Sequence, residues 1–260
     1  MKKKKHILSN VYMILINIFF FLPVITIIIG SINENKKNTS FDGLTFEWYS
    51  ELLKDVSLID SLEKTILLAV ISTILSTMIS TLVAFGMYRY KFKGKSLIDG
   101  MIYLPIIIPE IVIGISLMTI FSVFNIPGGL ITLAIAHTTF CIPYVIFNVR
   151  ASLSSFDLSL EEASLDLGAG KIETFFNITL PMILPGIKSG AFMAFTLSID
   201  DVTISNFTNG PGYITLPIKV MGMTKRGVSP DVYALATCMM IVVIIIAMLS
   251  KIKIKKRSFR

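Results

Sequence analysis

Charge is scarce in this chain. Only 16% of its 260 residues are Asp, Glu, Lys or Arg, 53% are hydrophobic, and the mean hydropathy is +0.76. Soluble domains carry about 25% charged residues, so that class is excluded, and the length fits one integral membrane domain. Cysteine is scarcer still. Cys141 and Cys238 both lie in apolar runs, which excludes a disulfide framework and a thiolate metal site. No G-x-x-x-x-G-K-S/T loop occurs, so the chain lacks that means of cradling ATP. No nucleophile–base pair or metal-ligand spacing is visible either. No catalytic residue, metal or cofactor is expected, and the chain reads as a non-enzyme.

What it has is long apolar runs. Ile7–Ile32, Thr65–Tyr88, Gly128–Val149 and Val232–Ser250 contain no charged residue. Each approaches or exceeds the roughly 20 residues a helix needs to cross a bilayer. Leu97–Phe124 carries Asp99 near its start and Glu110, and Ile178–Asn206 only Lys188, Asp200 and Asp201. Continuous runs indicate helices, whereas barrel strands alternate polar and apolar residues. The expected fold is all-α and polytopic, one transmembrane domain over 1–260. Its six transmembrane helices are expected at 7–32, 65–88, 97–124, 128–149, 178–206 and 232–250, with a short cytoplasmic helix pair. The first run is longer than the 7–15 residues of a signal's apolar region and reads as a retained anchor.

With the N-terminus inside and the spans alternating, 17 of the 24 basic residues fall on the inner side. That bias is the positive-inside signature, and it predicts both termini in the cytoplasm. The basic patches act first as topology determinants and then as contacts for membrane lipid; no nucleic-acid partner is expected.

Several stretches leave two readings open. Trp48 and Tyr49 beside Leu52 and Leu53 suit an amphipathic turn at the interface, as an anchor or a docking element. Ser72, Ser76, Ser80 and Ala84 form a four-residue ridge that suits close helix packing or the lining of a polar path. His137 reads as hydrogen-bonded structure or as a proton relay. Asn206–Pro230 is rich in glycine and proline and reads as an external loop.

The segment 156–181 interrupts the apolar pattern and is expected in the cytoplasm. Asp157 or Ser159 can cap a helix whose first turn holds Glu161 and Glu162, where the helix dipole favours negative charge. Gly168 and Gly170 can stop that helix in the left-handed conformation. A second short helix is expected over Lys171–Ile178, and Pro181 then opens the fifth span. Two short helices joined by a glycine turn make a knob.

The residues Glu162-Ala163-Ser164, then Gly168, then Ile178-x-Leu180-Pro181 resemble the EAA loop of ABC-importer permeases, with Ser164 in place of an alanine. The segments "LPIIIPEIVIGISL", "HTTFCIPYVIFNVR", "FTLSIDDVTISNF" and "KRGVSPDVYALAT" extend the resemblance, and it is nearest to the permeases of spermidine/putrescine importers. The resemblance implies a transport subunit of the bacterial plasma (inner) membrane that imports polyamines. It implies a pair of ATP-binding subunits as partners, a second homologous permease and an extracytoplasmic polyamine-binding protein. Glu161, Glu162, Ala163, Ser164, Gly168, Ile178, Leu180 and Pro181 become the ATPase-coupling candidates.

A carboxylate at helix-centre depth costs about 2.5–3.5 kcal/mol on insertion scales and marks a function. Apart from Asp99 at the start of the third span, Asp200, Asp201 and Glu110 are the acids of the spans, with no intramembrane arginine to pair with them. They suit a cationic passenger, and Glu110 is expected about 20 Å along a continuous third span, near mid-membrane. The alternative for Asp201 and Asp200 is hydration or bonding to backbone at a helix break. Competing functions are an ABC importer for another small solute and an ion-coupled secondary transporter.

Overall fold

Apolar runs become helices because a backbone in lipid must satisfy its own hydrogen bonds. The computed structural model describes residues 2–36, 40–155, 157–224 and 228–257, with side chains described from 10 to 245. Phe156, the first residue of the expected coupling loop, and 225–227 lie outside the described residues, as do Lys37 and Arg260 among the basic residues.

Among the described residues twelve α-helices run in order: α1 (Lys2–Ile32), α2 (Glu47–Lys54), α3 (Val56–Arg89), α4 (Lys95–Ile107), α5 (Glu110–Val123), α6 (Leu130–Ser154), α7 (Ser159–Asp166), α8 (Lys171–Thr174), α9 (Leu180–Asp200), α10 (Thr203–Thr208), α11 (Leu216–Thr224) and α12 (Pro230–Arg257). A π-helical turn, Phe175–Thr179, joins α8 to α9. By length and composition four of the described helical stretches are able to cross a membrane: Asn10–Ile32, Val56–Arg89, Leu130–Ser154 and Lys171–Asp200. A fifth exists if α4 and α5 count as one bent span, while α12 is apolar over the shorter Pro230–Ile245. The expected count of six is not reached by these helices alone.

The third span departs from expectation. Leu97–Phe124 is not one helix: α4 and α5 meet at a bend of 109°. Ile108 is extended (φ −74°, ψ 133°) because it precedes Pro109, and a proline disfavours the helical region for its predecessor. Glu110 is therefore the first residue of α5, exposed at the bend, and not the middle of a continuous helix. The fifth span also differs. It starts at Lys171, upstream of the expected boundary, and stops at Asp200, with α10 set apart by Asp201 and Val202. Pro181 does stand in the first turn of α9, as expected, but the helical stretch already runs from Lys171 through the π turn. Its ring would strike the carbonyl one turn back in a regular helix, and the chain widens to the π turn just before it. The segment Asn206–Pro230 is likewise not all loop, since it contains the end of α10 and all of α11.

The structure divides into two units. In the first, 1–59 with 220–260, α12 packs on α1 and α2. Trp48 is buried, its Nε1 donating to the Asn33 carbonyl at 2.7 Å, and the Tyr49 and Ser31 hydroxyls meet at 2.8 Å. Trp48 is thus a packed side chain that fastens α2 to the end of α1.

In the second unit, 60–219, α6 is the central post. Its Phe140, Cys141, Val145, Ile146, Val149 and Leu153 form the core with Ala84 of α3, Ile183 and Ala194 of α9, and Ile204 of α10. Gly186, Gly190, Ala194 and Ser198 recur at four-residue spacing and are the buried stripe of α9. Small residues at that spacing let two backbones approach closely. The Ser80 ridge of α3 does the same, with Ser80 Oγ donating to the Ile142 carbonyl at 3.0 Å.

Candidate functional site

Two groups of residues are brought together in the second unit. The first is the knob. Asp157 Oδ1 accepts the Ser159 N–H at 3.0 Å, which holds the Asp157 carboxyl below its ordinary value, but neither Asp157 nor Ser159 takes the expected cap position, which falls on Leu158 with no side-chain cap bond. α7 ends in a Schellman motif: the Gly168 N–H donates to the Leu165 carbonyl at 2.9 Å, and the Ala169 N–H to that of Ser164 at 3.2 Å. Gly168 takes φ +92°, as expected of it, whereas Gly170 is extended.

The eight coupling candidates do not share one surface. Glu162, Ala163, Gly168 and Pro181 are exposed, whereas Ser164, Ile178 and Leu180 are half-buried. Ser164 and Thr174 join their hydroxyls at 3.1 Å, tying α7 to α8. Glu161 is only 3% exposed and faces inward. Its Oε2 accepts from Arg89 Nη1 at the end of α3, and its Oε1 accepts the Thr179 hydroxyl at 2.5 Å from the π turn. Beside this pair the Phe85 and Phe175 rings pack at 4.8 Å. A cleft of 430 Å³ opens next to them, lined by Leu82, Tyr90, Leu165, Ile172 and Phe176 among others. Leu167 and Ile172 present apolar side chains outward, at 90% and 77% exposure.

The second group surrounds the break between α9 and α10. Asp201 is buried and caps α10, its Oδ1 accepting the Ile204 N–H at 3.2 Å and its Oδ2 the Ser205 N–H at 2.7 Å. His137 of α6 meets the Ser198 hydroxyl through Nδ1 at 2.8 Å and the Ser205 hydroxyl through Nε2 at 2.9 Å. Nε2 also lies 3.4 Å from Asp201 Oδ2. The histidine is hydrogen-bonded structure, and Asp201 bonds to backbone at a helix break. Asp200, next to it, is exposed. α5, which Glu110 begins, packs on α10, with Gly114 against the Phe207 ring.

Arg89, Thr179, Phe85 and the serine partners of His137 do not stand out in the sequence. Arg89 reads there as one of several inner-side basic residues, and its partner lies 72 positions away. No local pattern announces either pairing. Among the described residues no group of three or more His, Cys, Asp or Glu side chains is placed to hold a metal.

A multi-helical membrane chain that carries a small polar knob between spans is the plan of an importer permease. The chain belongs to the inner membrane components of binding-protein-dependent transport systems, a family matched by residues 76–257. It is similar to the spermidine/putrescine transport system permease protein PotC of Escherichia coli, 36% identical over 246 residues that cover 95% of this chain and 93% of that one. It is also similar to the putrescine transport system permease protein PotI of the same organism, 36% identical over 226 residues, 84% of this chain and 80% of that one. A solved bacterial ABC transporter involved in the import of the acidic polysaccharide alginate has the same fold, with a TM-score of 0.74 at 16% identity over 95% of this chain and 96% of that one. Membership makes this chain a multi-pass inner-membrane transport subunit, with ATPase, binding-protein and second-permease partners.

Proposed function

We propose that this chain is the permease subunit of an ATP-driven importer that moves polyamines into the cytoplasm. Its termini and the α7–α8 knob then face the cytoplasm, where a pair of ATPase subunits docks. The observation that carries the coupling role is the knob itself, closed by its own hydrogen bonds and presenting Glu162, Leu167 and Ile172 outward. The similarity to PotC along nearly the whole chain supports the cargo. So do the exposed acids Glu110 and Asp200, which offer carboxylates to a passenger bearing several ammonium groups. Asp201 is committed to backbone and His137, so in this reading it positions Asp200 and α10. An extracytoplasmic polyamine-binding protein delivers the cargo, and a second homologous permease completes the path.

The test is uptake of labelled spermidine and putrescine by the complex reconstituted in vesicles. ATP-dependent uptake is expected, with lower rates for Glu110→Gln and Asp200→Asn while ATPase association survives. Uptake of neither amine, or uptake without nucleotide, rejects the reading.

A further inference from the structure

The two adjacent glutamates at the start of α7 are built for different work. Glu162 points outward. Glu161 is 3% exposed and bonded at both oxygens, to Arg89 from the last turn of α3 and to Thr179 from the π turn that continues into α9. A carboxylate buried so completely is stabilised only while its partners are present, because removing one partner leaves an uncompensated buried charge. The Phe85–Phe175 contact joins the same two elements one turn away. Three segments far apart in sequence therefore meet on one side chain: the end of a spanning helix, the first turn of the knob, and the root of another spanning helix.

We infer that Arg89, Glu161 and Thr179 form a brace that locks the knob to α3 and α9, so that displacement of a docked knob reaches both spanning helices together. Glu161 is then a positioning residue and not a surface that touches the ATPase. The inference rests on the coupling role proposed above and adds the internal residues that transmit it. Without the brace the knob still presents Glu162, Leu167 and Ile172 and still docks. It turns on its glycine joint at Gly168 and moves α9 less for each cycle of hydrolysis.

The experiment uses the complete transporter in vesicles, with polyamine uptake and ATP hydrolysis measured on the same preparation. The readout is cargo moved per ATP at equal amounts of assembled complex, a ratio that simple loss of folded protein does not change. Arg89→Ala and Glu161→Gln are expected to keep ATPase association and to lower the ratio by about tenfold or more, because each leaves the remaining partner without its counter-group. Thr179→Val, which retains the ion pair, is expected to lower it less. The exchanged pair Arg89→Glu with Glu161→Arg is expected to recover much of the ratio.

An unchanged ratio in Arg89→Ala and Glu161→Gln overturns the brace. If those variants do not assemble, Thr179→Val and the exchanged pair decide. A wild-type ratio in Thr179→Val together with no recovery in the exchanged pair also overturns it. If the unmodified chain shows no ATPase association, the functional reading fails instead, and that outcome is separate from the variants.

Discussion

A β-carbon on Gly186 of α9 would lie 2.6 Å from the carbonyl oxygen of Asn148 on α6. That oxygen belongs to the backbone of the central helix and has no freedom to move aside. The neighbouring contact is also tight, though less so, for a β-carbon on Gly190 would lie 3.1 Å from the Val145 Cα. Gly186→Ala is expected to destabilise the chain by at least about 1–3 kcal/mol, the range for overpacking. Met182→Ala, at an exposed position two turns from Gly190, is expected to be nearly neutral. The thermal midpoint of the purified protein in detergent checks both.

His137 and Asp201 predict a graded loss at the α9–α10 break. Asp201→Ala removes the acceptor for two N–H groups, and loss of such a cap costs about 0.5–2 kcal/mol. Asp201→Asn keeps an acceptor oxygen and is expected to cost less. His137→Ala leaves the Ser198 and Ser205 hydroxyls without their ring partner, at about 1–3 kcal/mol for a buried unsatisfied group. The check is the order of thermal midpoints, with the wild type highest, Asp201→Asn next and Asp201→Ala below it, and with His137→Ala also below the wild type.

Gly168 separates strain from crowding. Its φ of +92° is unfavourable for side-chain-bearing residues, yet nothing lies within 4 Å of a β-carbon built there. Gly168→Val is therefore expected to cost about 1–2 kcal/mol through backbone conformation alone. Gly168→Asn, which tolerates the left-handed region, is expected to cost less. Amide exchange across 159–174 and the ATPase pull-down report the effect, and equal behaviour of the two variants would contradict it.

Asp157 gives the pH dependence. Its carboxyl is held below the ordinary value, first by the Ser159 backbone N–H and then by the Ser159 hydroxyl. A carboxylate whose folded pKa is depressed contributes stability above its unfolded pKa. That contribution is lost as pH falls through the folded pKa. The start of α7 is thus expected to be indifferent to pH between 5 and 8, roughly the usual stability plateau, and to loosen only below the ordinary carboxylate range. Protection of the Ser159 amide, compared between wild type and Asp157→Ala across acid pH, tests the sign.

The spans were legible where a run was uncharged and unbroken, as in α1, α3 and α6, because lipid leaves helix as the only solution for such a run. The knob was legible in part: its glycine stop is local chemistry and Gly168 behaves as its spacing predicts, whereas the cap of α7 falls on Leu158 and not on Asp157 or Ser159. The bend at Ile108–Pro109 was not. Hydropathy is blind to it, and the proline signals a break without giving its angle. The continuity of α8 with α9 was hidden too, since Pro181 does mark the first turn of α9 and nothing in the sequence shows that the π turn before it keeps the stretch helical. Pairings such as Arg89 with Glu161 and His137 with Ser205 depend on which helices become neighbours, and no local pattern carries that information. The stripe from Gly186 to Ser198 was visible in principle, having the same four-residue spacing as the Ser72–Ala84 ridge, but its prolines and acids drew attention away.

The widened turn at Phe175–Thr179 also sets a phase. Each residue turns a helix by about 100°, so shortening this stretch by one would rotate everything beyond it by more than a quarter revolution relative to the knob. The narrow glycine side of the rod would then swing off its post, and bulkier side chains would arrive in its place. Angular register between the α7–α8 knob and the membrane rod thus hangs on a single surplus residue.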